Sequence, residues 1–204
     1  MTPFWIAFEG GEGCGKTTQS AIFAERIGAR RTREPGGTRV GESIRRLLLD
    51  PATGDIDARA EALLMAADRA QHIAEVVIPS LGAGSHVVSD RSAWSSLAYQ
   101  GFGRGLALDG VRSVCDYAMQ GRWPDLAVLL AVSEETAATR VDATPDRMEA
   151  AGRVFHRRVA DGFAQLAEDA PDQWVVVDAA GSITDVAAKV WAAVAERLTL
   201  EDSV

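Results

Sequence analysis

The stretch Phe8-Glu9-Gly10-Gly11-Glu12-Gly13-Cys14-Gly15-Lys16-Thr17-Thr18 constrains this chain more than any other. It follows the apolar run Phe4–Phe8, and Ile22, Phe23 and Ile27 come after it at helical spacing. A buried strand, a glycine-rich loop and an amphipathic helix starting at Lys16 are therefore expected in succession. Gly10, Gly15, Lys16 and Thr17 fit the pattern G-x-x-x-x-G-K-[ST]. Glycines let the backbone curl until several N–H groups point inward, where side chains would block a polyphosphate. The helix that follows brings a partial positive charge to the same point. Lys16 is placed to reach the β- and γ-phosphates of a nucleotide, and the Thr17 hydroxyl to ligate Mg²⁺.

The 204 residues suit one domain with a sizeable core. The formal net charge of -8 argues against bulk nucleic-acid binding, so positive potential has to be concentrated locally. Of the two cysteines, Cys14 lies inside the phosphate loop, which speaks against a structural disulfide and for a reducing, cytosolic setting. His72, His86 and His156 lack metal-ligand spacing. No apolar run approaches bilayer-spanning length, and the N-terminus enters a strand without a basic flank, so neither membrane nor signal peptide is expected.

Further along, Gly28 is placed to end the first helix, and Thr32 to Thr38 reads as a strand end running into a turn. Val40 to Leu49 has the spacing of a short helix. Ala58 to Ile78 has that of a long one, closed by Pro79. His86–Ser89 is a short buried strand delivering Asp90-Arg91 to its carboxyl end, the edge where open α/β sheets bind ligands. A helix from Ser95 towards Tyr99 should break at Gly101, Gly103 and Gly105, before another from Leu108 to Met119. Leu126–Val132 is a central strand, with Ser133 as N-cap of the next helix. Phe155 to Leu166 marks a helix, Trp174–Val177 a last strand and Asp185–Leu198 a closing helix. This alternation implies an α/β, doubly wound, mostly parallel sheet of about five strands covered on both faces.

A phosphate loop identifies a nucleotide and not a reaction. Phosphoryl transfer between two anionic substrates depends on positioning and charge neutralisation, so arginines should converge on the strand ends. Arg33, Arg39, Arg69, Arg91, Arg104, Arg140 and Arg147 are the candidates, with Arg91 singled out by its place after a buried strand and an acid. Asp90 is placed as a second Mg²⁺-organising carboxylate or as a helix N-cap.

At this point the chain resembles the bacterial thymidylate kinases. The resemblance rests on Phe8-Glu9-Gly10 with Gly13-x-Gly15-Lys16-Thr17-Thr18, on Thr32-Arg33-Glu34-Pro35-Gly36-Gly37-Thr38, and on Ala67-Asp68-Arg69-Ala70-Gln71-His72. Asp90-Arg91, Ser95-Ser96-x-Ala98-Tyr99-Gln100-Gly101, Pro124-Asp125-Leu126, Asp146-Arg147-x-Glu149 and Phe155 extend it in order. It implies a P-loop fold and transfer of the γ-phosphoryl group of ATP to dTMP with Mg²⁺ held at Thr17 and Asp90. It further implies a cytoplasmic homodimer pairing through helices such as Ala58–Ile78. On the ATP side it implies Gly10, Gly11, Glu12, Gly13, Cys14, Gly15, Lys16, Thr17 and Thr18, with Arg140 stacking on adenine. Glu12 would contact the sugar 3′-hydroxyl of dTMP, Arg69 the thymine and Arg91 the acceptor phosphate. Glu34, Pro35, Ser96 and Gln100 would border the acceptor, and Tyr99 would crowd the sugar 2′ position. Arg147 would sit in a lid over the phosphates at about 141–152.

Two departures bear on the acceptor pocket. Met65 stands where the family commonly has a stacking phenylalanine, though it could equally be core, and Ser92 replaces an aromatic or histidine after Asp-Arg. The lid holds Arg147 as its lone arginine and the phosphate loop holds none, so Arg147 is expected to carry much of the transition-state neutralisation, with Lys16, Asp90 and Arg91 as its catalytic companions. A kinase for another acceptor on the same fold remains the alternative. A guanine-reading switch would need an Asn-Lys-x-Asp segment, which the sequence lacks.

Overall fold

The computed structural model describes residues 2–140 and 146–198. The segment expected as a lid therefore lies partly outside the described residues, at 141–145. In chain order the elements are β1 (Trp5–Glu9), α1 (Lys16–Ile27), β2 (Arg30–Arg33), α2 (Arg39–Leu49), α3 (Ala58–His72) and α4 (Ile78–Gly82). There follow β3 (Val87–Asp90), α5 (Ala93–Ser96), α6 (Leu108–Met119), β4 (Leu126–Ala131), α7 (Glu134–Ala138), α8 (Arg153–Asp169), β5 (Trp174–Asp178) and α9 (Ile183–Leu198). The five strands form one parallel sheet in the order β2-β3-β1-β4-β5.

Strand periodicity sorts the core into two layers. Trp5, Val87, Ala127 and Leu129 face one layer, with Ile73, Met119, Val159 and Phe163 from the helices. Their neighbours Ile6, Phe8, Val88, Val128 and Leu130 face the other, against Phe23, Val186, Val190 and Val194. β1 is buried at every position, as a central strand with helices on both sides must be. β2, Arg30-Arg31-Thr32-Arg33, sits at the sheet edge, where three exposed arginines discourage pairing with another strand.

Two sequence expectations are corrected. Pro79 does not close the long helix: a wide-turn segment at Ile73–Val77 follows α3, and α4 carries the chain on through Pro79 to Gly82. There the Ile78 amide bonds the Ile73 carbonyl, five residues back. A wide turn of this kind moves backbone carbonyls off the ordinary ladder, which is what a proline ring requires. Gly101 and Gly103 do not break their helix either. The chain continues from α5 in wide turns through Leu97–Gly103. The glycines serve close packing instead, because a Cβ on Gly101 would lie 2.5 Å from Leu108 Cδ2 and one on Gly103 2.6 Å from Phe155 Cε2.

Gly103→Ala should accordingly overpack the contact with α8 and cost about 1–3 kcal/mol. In a chain of this length that lowers Tm by roughly 2–4 °C per kcal/mol. A thermal melt superimposable on the wild type would show that the helix has slack there.

Candidate active site

Parallel pairing of β1 with β3 sets Phe8 opposite Asp90, so the loop leaving one strand and the acid–arginine pair ending the other emerge side by side. The Arg91 amide donates to the Phe8 carbonyl at 2.9 Å. Arg91 itself has φ +73°, a left-handed conformation rarely held by an arginine, and a rarely populated backbone state persists only where its surroundings hold it. Its guanidinium is gripped from four directions. Nη1 donates to the Gly10 carbonyl (3.0 Å) and Ser95 Oγ (3.1 Å). Nη2 donates to Glu12 Oε1 (2.5 Å) and Tyr99 Oη (3.0 Å), and the Tyr99 hydroxyl donates to the same Glu12 oxygen.

The phosphate loop curls through positive φ at Gly10, Gly13 and Gly15. A Cβ at Gly13 would lie 2.5 Å from the Ala137 carbonyl oxygen, so only glycine lets the loop pass α7. At the start of α1, Gly15 offers no side-chain cap and the first turn carries no acid, leaving its amides for an anion. Lys16 Nζ rests on the Gly11 carbonyl at 2.6 Å. Thr17 Oγ1 donates to Asp90 Oδ2 at 2.6 Å. A hydroxyl and a carboxylate side by side at the open end of a phosphate cradle fit Mg²⁺, which binds through one or two protein oxygens and completes its shell with phosphate and water.

A cleft of about 610 Å³ runs from Lys16 and Thr17, past Asp90 and Arg91, to a deeper end lined by Glu34, Pro35, Met65, Arg69, Ser96, Tyr99 and Gln100. Arg69 is buried and held by four hydrogen bonds at this end of the cleft. Nε donates to Glu34 Oε2 (2.8 Å), Nη1 to Ser96 Oγ (3.1 Å) and Cys115 Sγ (3.5 Å), and Nη2 to the Ser92 carbonyl (3.1 Å). Arg30, Arg31, Arg33 and Arg45 also line the cleft, so this acidic chain concentrates positive charge along it.

A family model described as thymidylate kinase matches residues 8–190. A thymidylate kinase from Synechococcus sp. (strain JA-3-3Ab) is 45% identical, covering 95% of this chain and 96% of that one. One from Deinococcus radiodurans is also 45% identical, covering 95% and 97%. The crystal structure of thymidylate kinase from Ehrlichia chaffeensis matches with a TM-score of 0.80 at 29% identity, over 95% of this chain and 100% of that chain. The chain belongs to the thymidylate kinase family. The sheet and its helices are accordingly those of a P-loop α/β kinase.

In this thymidylate kinase family member most of the sequence-derived residues meet in one place. Glu12, Lys16, Thr17, Asp90 and Arg91 line the cleft together with the seven residues of its deeper end. Met65 is half-buried on the cleft wall and is not part of the interior core. Gly10 and Gly11 border the other side of the loop, Cys14 is buried beneath it, and Thr18 is exposed on α1. Arg140 stands apart, on the carbonyls of Ala179 and Gly181 after β5. Arg147 is outside the cleft lining. Its Nη2 donates to Glu61 Oε2 (2.6 Å) and its Nε to the Leu48 carbonyl (2.6 Å).

The sequence alone assigns no role to Glu9, Thr32, Arg45, Glu61 and His72. Glu61 is fully buried and accepts from Arg104, Arg147 and Gln100. It shares a buried face of α3 with Asp68, seven residues on. Glu9 ends the first strand and accepts from Ser92 Oγ (2.7 Å) and Ser95 Oγ (2.6 Å). Ser92 caps α5 and ties it to Glu9.

The carboxylates of the site are driven apart. Burial raises Glu9 to about 7, although both serine hydroxyls and Arg91 oppose the rise. Burial also acts on Glu12, but Arg91, Lys16 and the Tyr99 hydroxyl outweigh it and hold Glu12 at about 2. Glu34 is likewise buried yet kept below its ordinary range by Arg69 and His72. Asp68 is raised to about 6 by burial and by Glu34 beside it.

Folded Glu9 keeps its proton to about pH 7, whereas the unfolded chain gives it up near 4.5, so this group makes stability fall as pH rises through that window. Glu9→Gln has no such proton to lose and should flatten the profile. Asp68 adds a slope of the same sign up to about 6, so the contrast is cleanest between pH 6 and 7 in urea midpoints. Parallel profiles for the two proteins would remove Glu9 as the source.

Proposed function

We propose that this chain is a thymidylate kinase that transfers the γ-phosphoryl group of ATP to dTMP, giving dTDP and ADP. The observation that carries the reading is the facing of two cationic centres across one cleft, Lys16 on the phosphate loop and Arg91 at the tip of β3. One suits a triphosphate tail and the other a monophosphate brought up to it. Family membership supplies the identity of the two nucleotides.

In this mechanism the loop amides and Lys16 hold the donor phosphates, and the first turn of α1 adds its dipole. Arg91 clamps the acceptor phosphate, and its bond to the Gly10 carbonyl keeps that clamp in register with the loop. Glu12, ionised under Arg91, offers an acceptor for a sugar hydroxyl while Tyr99 closes the same wall. Arg69 and Gln100 read the base beside Ser96, and Met65 covers it through a polarizable thioether. Thr17 and Asp90 would hold Mg²⁺, whose chemistry there would be charge neutralisation at the phosphates. Arg140 is assigned to stack on the adenine, as the family resemblance implies, and it rests on the carbonyls of Ala179 and Gly181.

Arg147 is assigned the transition-state charge. Glu61 is also held by Arg104 through Nη2 (3.0 Å), so it keeps a cationic partner when Arg147 moves to the phosphates. The enzyme is taken as a single kinase domain acting in the cytoplasm as a homodimer. Val40, Leu47 and Leu63 on α2 and α3 are exposed apolar side chains that such pairing would cover. Among the described residues no helix is long and apolar enough to cross a membrane.

Coupled ADP release with ATP, Mg²⁺ and a panel of dTMP, dUMP, dCMP and AMP tests the assignment, with dTMP turned over most efficiently. Preferential turnover of another monophosphate would favour a changed acceptor, to which Met65 and Ser92 would be the pointers. Arg147→Ala should lower kcat about 10³-fold or more. Near-normal kcat in that variant would transfer the role to Arg153 or Arg140.

A further inference from the structure

Behind Arg69 lies a line of buried polar contacts that substrate binding alone does not require. Thr32 Oγ1 and His72 Nε2 are 2.8 Å apart, and His72 Nδ1 and Glu34 Oε1 are 2.8 Å apart. Glu34 Oε2 in turn accepts from Arg69 Nε at 2.8 Å. His72 is fully buried and Glu34 nearly so. Glu34 can only accept, so His72 carries a hydrogen on Nδ1, and its Nε2 shares one hydrogen bond with the Thr32 hydroxyl. The path between them is kept clear by Gly37, where a Cβ would fall 2.7 Å from His72 Cδ2 and 2.8 Å from Thr32 Oγ1.

We infer that Thr32 and His72 are positioning residues that set how the kinase reads its acceptor base. Each contact fixes the next: the edge strand holds the imidazole, the imidazole holds the carboxylate, and the carboxylate fixes the plane of the guanidinium. Arg69 has five N–H donors, of which Nε and both Nη1 hydrogens find protein partners and Nη2 gives one to the Ser92 carbonyl. The remaining Nη2 hydrogen is the one left for a base carbonyl. Its direction depends on the guanidinium plane, which Glu34 sets from the far side. A donor fixed in this way favours a carbonyl over an amino group at the same ring position, because the amino group would present a second donor.

This deepens the thymidylate kinase reading and rests on it, so the test separates the two. Steady-state kinetics of wild type, Thr32→Val, Thr32→Ser and His72→Leu are measured with dTMP and with 5-methyl-dCMP, alongside KM for ATP and Tm. The expected result is that Thr32→Val raises KM for dTMP about three- to tenfold, the scale of one hydrogen bond. KM for ATP should hold, the preference for dTMP over 5-methyl-dCMP should shrink, and Thr32→Ser should restore both. His72→Leu should show the larger change in the same direction. Should it fail to fold, the Thr32 pair decides. A fall in Tm with unchanged dTMP KM and unchanged preference would overturn the inference and leave the line as packing. Absence of dTMP turnover in the wild type would instead overturn the parent reading.

Discussion

The pairing of β1 with β3 is the constraint from which the site follows. Two parallel strands buried in the middle of the sheet end at the same level, so the glycine loop after one meets the acid and arginine after the other. Arg91 locks that meeting: one guanidinium reaches the loop carbonyl of Gly10, the loop acid Glu12 and the helix residues Ser95 and Tyr99. A loop rich in glycine has little side-chain packing of its own, and this arginine supplies what the glycines give up. Its left-handed backbone is the local cost of aiming the side chain back over the loop.

Charge is managed by pairing throughout. A chain with a formal net charge of -8 has to bring anionic nucleotides together, and it does so by neutralising its own buried acids with arginines. Glu34 is matched by Arg69, Glu61 by Arg104 and Arg147, and Glu12 by Arg91. Glu9 and Asp68 are the exceptions. Asp68 accepts from the Gly36 amide, and Glu9 has serine hydroxyls in place of a direct cation and is accordingly the acid closest to neutral titration. Ser95, one of the hydroxyls on Glu9, also accepts from Arg91, which holds Gly10 and Glu12, so the carboxyl of Glu9 is joined through one arginine to both the acceptor side and the phosphate loop.

The readable parts of the sequence were those where local chemistry and tertiary context agree. Lys16–Ile27 ends at Gly28 as expected, Leu108–Met119 forms the expected helix, and Ser133 caps α7 as its side chain suggests. Pro79 and the run of Gly101 and Gly103 misled because their local meaning is helix termination. A widened turn accommodates the first, and the need to approach Leu108 and Phe155 closely uses the others. The cleft residues were found because they sit in contiguous motifs. Arg45 and Glu61 were not, since each is one polar residue in an amphipathic helix whose direction only packing reveals. His72 has no metal-ligand spacing to mark it. Its partners are a carboxylate and a hydroxyl from an edge strand far away in sequence, a pairing that spacing cannot show.

The account stands most directly on where Arg91 points when both substrates are bound. A crystal structure with dTMP and a non-hydrolysable ATP analogue should place the Arg91 guanidinium within hydrogen-bonding distance of the dTMP phosphate, with the analogue's phosphates over the loop amides and Lys16. A complex in which both nucleotides are ordered while Arg91 stays on Glu12 and Gly10, touching no phosphate, would contradict it.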